Sequence, residues 1–287
     1  MSGATPKDRA SKSKPAESMP DPAALSLLVE RMTAESLIAK AVVPGVEVHA
    51  DRDVTWIVHP GSVWRNVAVM VRFTEATAAD RVGSLLRRYR RHGRGAGFWI
   101  SPAATPPDLT RVLREKRLRC RKYFPAMVRS LSWRPPNVAT PAGVTIQRVR
   151  DVAAFARTPH PSVGALTTPL RRHAFARLNA LVDDPSERIH AFVAYLDGDP
   201  AGASELFVGT ETAGIIGLSV LAAHRGQGVG AALLEHTCQQ ARSHGASTIG
   251  LIATSDGERL YARRGFIEVA RFGYWYQSHQ NQKESRR

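Results

Sequence analysis

The chain has 287 residues, two cysteines, and 40 Lys and Arg against 25 Asp and Glu, a formal charge of +15. That length allows one large domain or two smaller ones, each with a full core. Cys120 and Cys238 lie far apart with no CxxC pair, which argues against a disulfide scaffold or a zinc site, so no metal is expected. The longest apolar run, 213–223, is shorter than the roughly 20 residues a membrane helix needs. The expected setting is the reducing cytoplasm, with no membrane partner.

Residues 1–22, MSGATPKDRASKSKPAESMPDP, are polar and Pro-rich and read as a disordered leader. Leu25, Leu28, Met32 and Leu37 then follow helical spacing. Strand-like alternation occupies 45–60 and 65–73. A helix over 77–93 places Val82, Leu85, Leu86 and Tyr89 on one face and stops at Gly93. A short strand at 97–101, a helix opened by Thr105 as N-cap, and a strand through 122–133 complete a first lobe, 23–133. RPPNVATPAG, 134–143, is a linker by composition.

The second lobe, 144–287, begins with a strand in VTIQRVRD and a helix from Leu166 to Val182. A hairpin over 187–208 turns at DGDP, and a third strand covers 213–221. An amphipathic helix follows, with Val229, Leu233, Cys238 and Ala241 inward. A strand at 247–254, a short helix ending at Gly265 and a strand at 266–276 close the chain. By element order, the first lobe looks like a partial copy of the second.

Charge is uneven. Between Arg81 and Arg129 lie fourteen basic residues against Asp108 and Glu115 alone. The favoured reading is a solvated surface. A nucleic-acid partner is the lesser expectation, because no aromatic side chains alternate with these arginines to stack on bases.

The stretch LSVLAAHRGQGVGAALLEH places three glycines between an apolar strand and a helix. Gly226, Gly228 and Gly230 allow close backbone approach, and the free N–H groups opening the helix favour an anion, to which Arg225 adds charge. A side chain at Gly228 is expected to block this cradle and spare the fold. GQGVGA also fits a relaxed dinucleotide pattern, but the acidic residue expected about 20 positions later is missing, and no G-K-[ST] completes a P-loop.

Arg225-Gly226-Gln227-Gly228-Val229-Gly230 resembles the R/Q-x-x-G-x-G/A loop of the GNAT superfamily of N-acetyltransferases, and ATSDGERLYARRGF (253–266) is similar to that superfamily's second signature. The resemblance implies an α/β fold of two GNAT-like lobes, each a mixed, mostly antiparallel sheet flanked by helices. Only the C-terminal lobe would keep the acetyl-CoA loop. It implies that Arg225 to Gly230 grip the pyrophosphate, and that Leu218, Ser219 and Val220 line the pantetheine, with the Val220 N–H polarising the thioester carbonyl. Ser255 would contact the pantetheine or cap a helix. Tyr261 matches the family's general acid, a phenol near pKa 10 suited to protonate a thiolate. Many members carry a carboxylate on the strand before the loop, but AGIIGLSVL has none, leaving Glu205 and then His190 as substitutes. Cys238, mid-helix, is a poor nucleophile.

Two functions stay open. One is direct acetyl transfer to a primary amine of a small molecule or peptide. The other is a non-catalytic CoA-sensing or nucleic-acid-binding module working through the basic lobe, or acetylation of an aminoacyl-tRNA.

Overall fold

The computed structural model describes residues 21–42, 45–58, 66–93, 95–133, 140–149, 157 and 186–277. The first half comprises α1 (Pro22–Ile38), β1 (Glu47–Ala50), β2 (Thr55–Val58), β3 (Val67–Val69), α2 (Ala78–Arg91), β4 (Ala96–Ile100), α3 (Leu109–Glu115) and β5 (Arg119–Ser130). The second comprises β6 (Val144–Arg148), β7 (Ile189–Leu196), β8 (Asp199–Val208), β9 (Ala213–Val220), α4 (Val229–Ser243), β10 (Thr248–Ile252), α5 (Ser255–Arg263) and β11 (Ile267–Gln277). The expected helix at 166–182, leader residues 1–20 and linker residues 134–139 lie outside the described residues.

Local chemistry explains the element ends. Asp21 caps α1 by accepting from the Ala23 N–H at 3.1 Å, with Pro22 in the first turn. Asp197 and Gly198, both at positive φ, make the tight turn between β7 and β8. Residues 45–60 form two strands, because the Asp51 N–H returns to the Val54 carbonyl at 2.9 Å and makes a hairpin of β1 and β2. Thr105 does not cap a helix. α3 starts after Asp108, and Thr105 instead pairs with the chain that leaves β3.

All eleven strands form one sheet in the order β1-β2-β3-β4-β11-β5-β10-β9-β8-β7-β6. Each half gives its last strand to the other. β11 pairs antiparallel with β4, and β5 pairs antiparallel with β10. The two exchanged strands join at the centre, from Ile267↔Val128 to Tyr276↔Arg119.

The helices are sorted by face. Leu25, Val29 and Met32 of α1 pack with Ala126, Val128, Phe207 and Phe272. Each such side chain, at most 3% exposed, contributes about 1.5–3 kcal/mol through burial. Met127 and Trp275 alternate with Val128 and Tyr274, so they face the opposite side. There α2 and α3 cover the first half, and α4 and α5 the second. α1 spans both halves: Glu30 takes two bonds from Arg72, at 3.3 and 2.6 Å, and Glu35 takes one from Arg188 at 2.6 Å. No described helix is long and apolar enough to cross a membrane.

Candidate active site

β9 and β10 run parallel and pair only at Ala213↔Ile249 and Gly214↔Gly250. Beyond that point no register joins them, while β9 stays on β8 through Val220↔Gly202. The two strands therefore splay into an opening in the sheet. The Leu221 N–H donates to the Ala201 carbonyl at 2.8 Å, towards β8. By alternation, the N–H groups of Leu218 and Val220 point the other way, into the opening.

The glycine loop lies at its mouth. Gly226 and Gly228 have φ of +78° and +79°, left-handed values that glycine adopts without strain. The first helical bond of α4 runs from the Ala232 N–H to the Gly228 carbonyl at 3.0 Å. The N–H groups from Gly226 to Ala231 have no acceptor among the described residues, and they carry the positive end of the helix dipole. Arg225 is exposed, and its Nε donates to the Val220 carbonyl at 3.4 Å, which links loop and opening. Gln227 folds back onto the Ala223 carbonyl at 3.0 Å. This set fits a pyrophosphate: unsatisfied donors and a cation.

The expectation for Gly228 changes. A Cβ there would lie 2.6 Å from Pro141 Cγ, so a substitution would also displace the segment entering β6. Gly226 has nothing within 4 Å of such a Cβ.

The side chains divide between the two sheet faces. On the α4 side, Ser204 bonds to Thr237 at 2.8 Å, and Leu218 and Val220 pack against the core. Tyr261, on α5, is only 7% exposed, with its ring 5.7 Å from Phe266. Burial, and secondarily the nearby Cys238, pushes its phenol up to about 12, above the value near 10 taken from its residue type. The hydroxyl stays protonated at neutral pH but is a weaker acid than expected. Burial also pushes the Cys238 thiol up to about 12.

On the α1 side lie Glu205, Gly217 and Ser219, because Glu205 pairs with Gly217 and Ser219 with Ala203. Glu205 is fully buried. The Ser219 hydroxyl is enclosed with no hydrogen-bond partner among the described residues. β9 carries an extra residue between Gly217 and Ile215, a bulge that re-aims the strand beside Glu205. His190 is not part of this group. It pairs with Leu206, and its ring lies 4.4 Å from that of His244, tilted by 35°, at the C-terminal end of α4, the length of that helix from the loop.

Ser255 is the first residue of α5, after Thr254 at the cap, and its Oγ bonds to Lys122 Nζ of β5. Neither this contact nor the one at Pro141 has a local sequence signal, since Lys122 and Pro141 come from distant parts of the chain. Among the described residues no cluster of three or more His, Cys, Asp or Glu could hold a metal.

An α/β sheet splayed beside a glycine-opened helix is the GNAT fold. Residues 154–266 match the family described as "Acetyltransferase (GNAT) family", so the chain carries a GNAT acetyltransferase domain. Among solved structures, a GCN5-related N-acetyltransferase from Kribbella flavida aligns with TM-score 0.61 and 19% identity over 85% of this chain and 95% of that one. A tandem GNAT protein from the clavulanic acid biosynthesis pathway aligns at 0.57 and 15%, over 89% and 94%. A GCN5-related N-acetyltransferase from Sphaerobacter thermophilus aligns at 0.53 and 17%, over 91% and 94%. No curated protein matches this chain by sequence.

Proposed function

We propose that the protein transfers acetyl from acetyl-CoA directly to a primary amine of a small molecule or peptide. The observation that carries this is the opening beyond Gly214↔Gly250, with inward N–H groups along one wall and unsatisfied N–H groups at its mouth. Arg225 and the backbone from Gly226 to Gly230 would hold the pyrophosphate, and Leu218, Ser219 and Val220 would line the pantetheine. Bound there, acetyl-CoA supplies a thioester for attack by the amine.

The chain's own groups then have separate tasks. The Val220 N–H would donate to the thioester carbonyl oxygen and stabilise charge developing on it. Glu205 and the Ser219 hydroxyl share the α1 face, from which an amine would approach, and Glu205 would accept its proton. Tyr261 lies on the opposite face and would donate the proton that neutralises the departing thiolate. Base and acid thus lie on opposite faces of the sheet. The reading is tested by calorimetry with acetyl-CoA, followed by thiol release with a panel of small amines and peptides. A folded protein that neither binds acetyl-CoA nor releases thiol with any of them overturns it.

A further inference from the structure

The fold sorts the basic stretch from Arg81 to Arg129 into two kinds of residue. Arg81 is held by Asp51 at 3.0 Å and by Asp53, Arg111 by Asp108 and Glu115 at 2.6 and 2.7 Å, and the buried Arg129 by Glu235 at 2.8 Å. Arg87, Arg91, Lys116, Arg117, Arg119 and Arg121 have no carboxylate within ion-pair distance among the described residues. Elsewhere the pattern is the reverse: Arg31, Arg72 and Arg188 around α1 are all paired.

These six residues form one stripe. Arg87 and Arg91 lie on the exposed side of α2, Lys116 and Arg117 at the end of α3, and Arg119 and Arg121 at the start of β5. Arg87 Nη1 and Lys116 Nζ come to 3.4 and 3.9 Å of the same point, the place a Cβ on Gly83 would take. Two cations from different helices therefore crowd together with no counter-charge between them. Gln277 fixes the next step by donating to the Lys116 carbonyl at 2.9 Å, beside the Tyr276↔Arg119 pair. The dipole at the C-terminus of α2 accounts for Arg91 but not for Arg117, Arg119 or Arg121.

Aromatic rings do accompany these arginines, supplied by other strands. Arg88 lies 5.3 Å over Trp56, Arg114 5.2 Å over Trp275, and Arg121 5.7 Å over Tyr276. Trp56 and Trp275 are 2% and 1% exposed, so they cannot stack on bases. They underlie Arg88 and Arg114, which flank the stripe, while Tyr276 underlies Arg121 within it, and a guanidinium resting on a ring keeps its N–H fork for phosphate. We propose that this stripe docks the phosphodiester backbone of a nucleic acid and reads charge, not sequence. Arginine forks suit phosphate better than lysine does, and five of the six are arginine. A lipid surface is disfavoured, because α2 and α3 expose no large apolar side chain and β5 exposes only Tyr123, too little apolar area to enter a bilayer.

The test uses the full chain and a fluorescein-labelled 30-nucleotide RNA of random sequence, titrated across salt concentrations. Binding should weaken linearly on logarithmic axes and be indifferent to RNA sequence. The triple variant Arg87→Glu/Arg91→Glu/Arg119→Glu changes exposed residues only. It should lower affinity at ~100 mM salt by at least about tenfold and flatten the slope by roughly 2, near 0.7 per lost phosphate contact. The matching Gln variant should fall between the two, with unchanged circular dichroism and acetyl-CoA affinity. Absence of binding at ~50 mM salt, affinity untouched by the reversal, or stronger retention on phosphatidylserine vesicles than on RNA overturns the proposal.

Discussion

The two halves contain the same local design, open in one and closed in the other. β3 and β4 run parallel and pair at Val67↔Gly97 and Ala68↔Phe98, as β9 and β10 do at their own two positions. In the second half the strands then part and a glycine loop opens the helix. In the first half the gap is stitched shut. The Thr105 N–H donates to the Val71 carbonyl at 3.1 Å, its hydroxyl donates to the Phe73 carbonyl at 2.8 Å, and Arg72 bridges to Thr105. The turn that enters α2 is tied to itself, since Thr74 and Thr77 exchange backbone and side-chain bonds at 2.8–3.2 Å and the Ala78 N–H donates to the Thr74 carbonyl at 2.9 Å. With its gap laced, no glycine in the turn before α2 and the acidic Asp80 in the first turn of that helix, the first half lacks, among the described residues, the cradle that precedes α4. A ligand site of this kind needs an open gap and a helix end that welcomes an anion, and the first half has neither.

The largest effect that sharpens this contrast is expected at Tyr261. Tyr261→Phe should lower kcat by ~10²–10⁴ and leave acetyl-CoA affinity nearly unchanged, measured by thiol release and calorimetry. A rate within about twofold of the parent would make the phenol a packing residue.

On the closed side, Arg72→Ala leaves the Glu30 carboxylate, 2% exposed, buried without its partner. The expected loss is about 3 kcal/mol in denaturant unfolding, the low end for a broken buried pair because Arg72 is itself partly exposed. A loss below about 1 kcal/mol would show that α1 does not depend on this bridge.

Next in size is Arg225→Glu, an exposed change that reverses charge at the open loop. It should raise the Kd for acetyl-CoA roughly 10–100-fold, the range for losing one charge-assisted bond. Calorimetry of the parent should give one acetyl-CoA per chain. Two equivalent sites would mean that the stitched gap opens after all.

The smallest effect is a pH dependence remote from both gaps. Burial first, then the charges of Arg148 and His244, lower His190 to about 4, against the opposing pull of Glu187. A depressed pKa means that the unfolded chain binds the extra proton. Stability should therefore be intact above about pH 6.5 and decline as pH falls towards 4. His190→Gln should flatten that part of the curve, and an unchanged profile would assign the acid sensitivity to other groups.

The sequence alone determined the elements whose signals are local. The heptad-like face of α2, the β7–β8 hairpin at Asp197-Gly198, the inward set of α4 and the glycine loop all depend on residues a few positions apart. Periodicity and turn chemistry report such features directly. The acceptor-side face, the exchange of β5 and β11, the closure at Thr105 and the rings beneath the arginines depend on distant partners, the farthest being Ala96↔Gln277, well over half the chain apart. No local pattern encodes which of two similar strands a segment will join. Thr105 illustrates the limit: next to Pro106 it read as a helix cap, and only the return of 101–105 beside Val71 gave its bonds another destination. Glu205 shows the same in the site: the sequence offers it and His190 alike as substitute bases, and only the strand register sets Glu205 across from Gly217 at the bulge and His190 beside His244 at the far end of α4. Composition and spacing fix what a residue can do, while strand order and register fix what it meets.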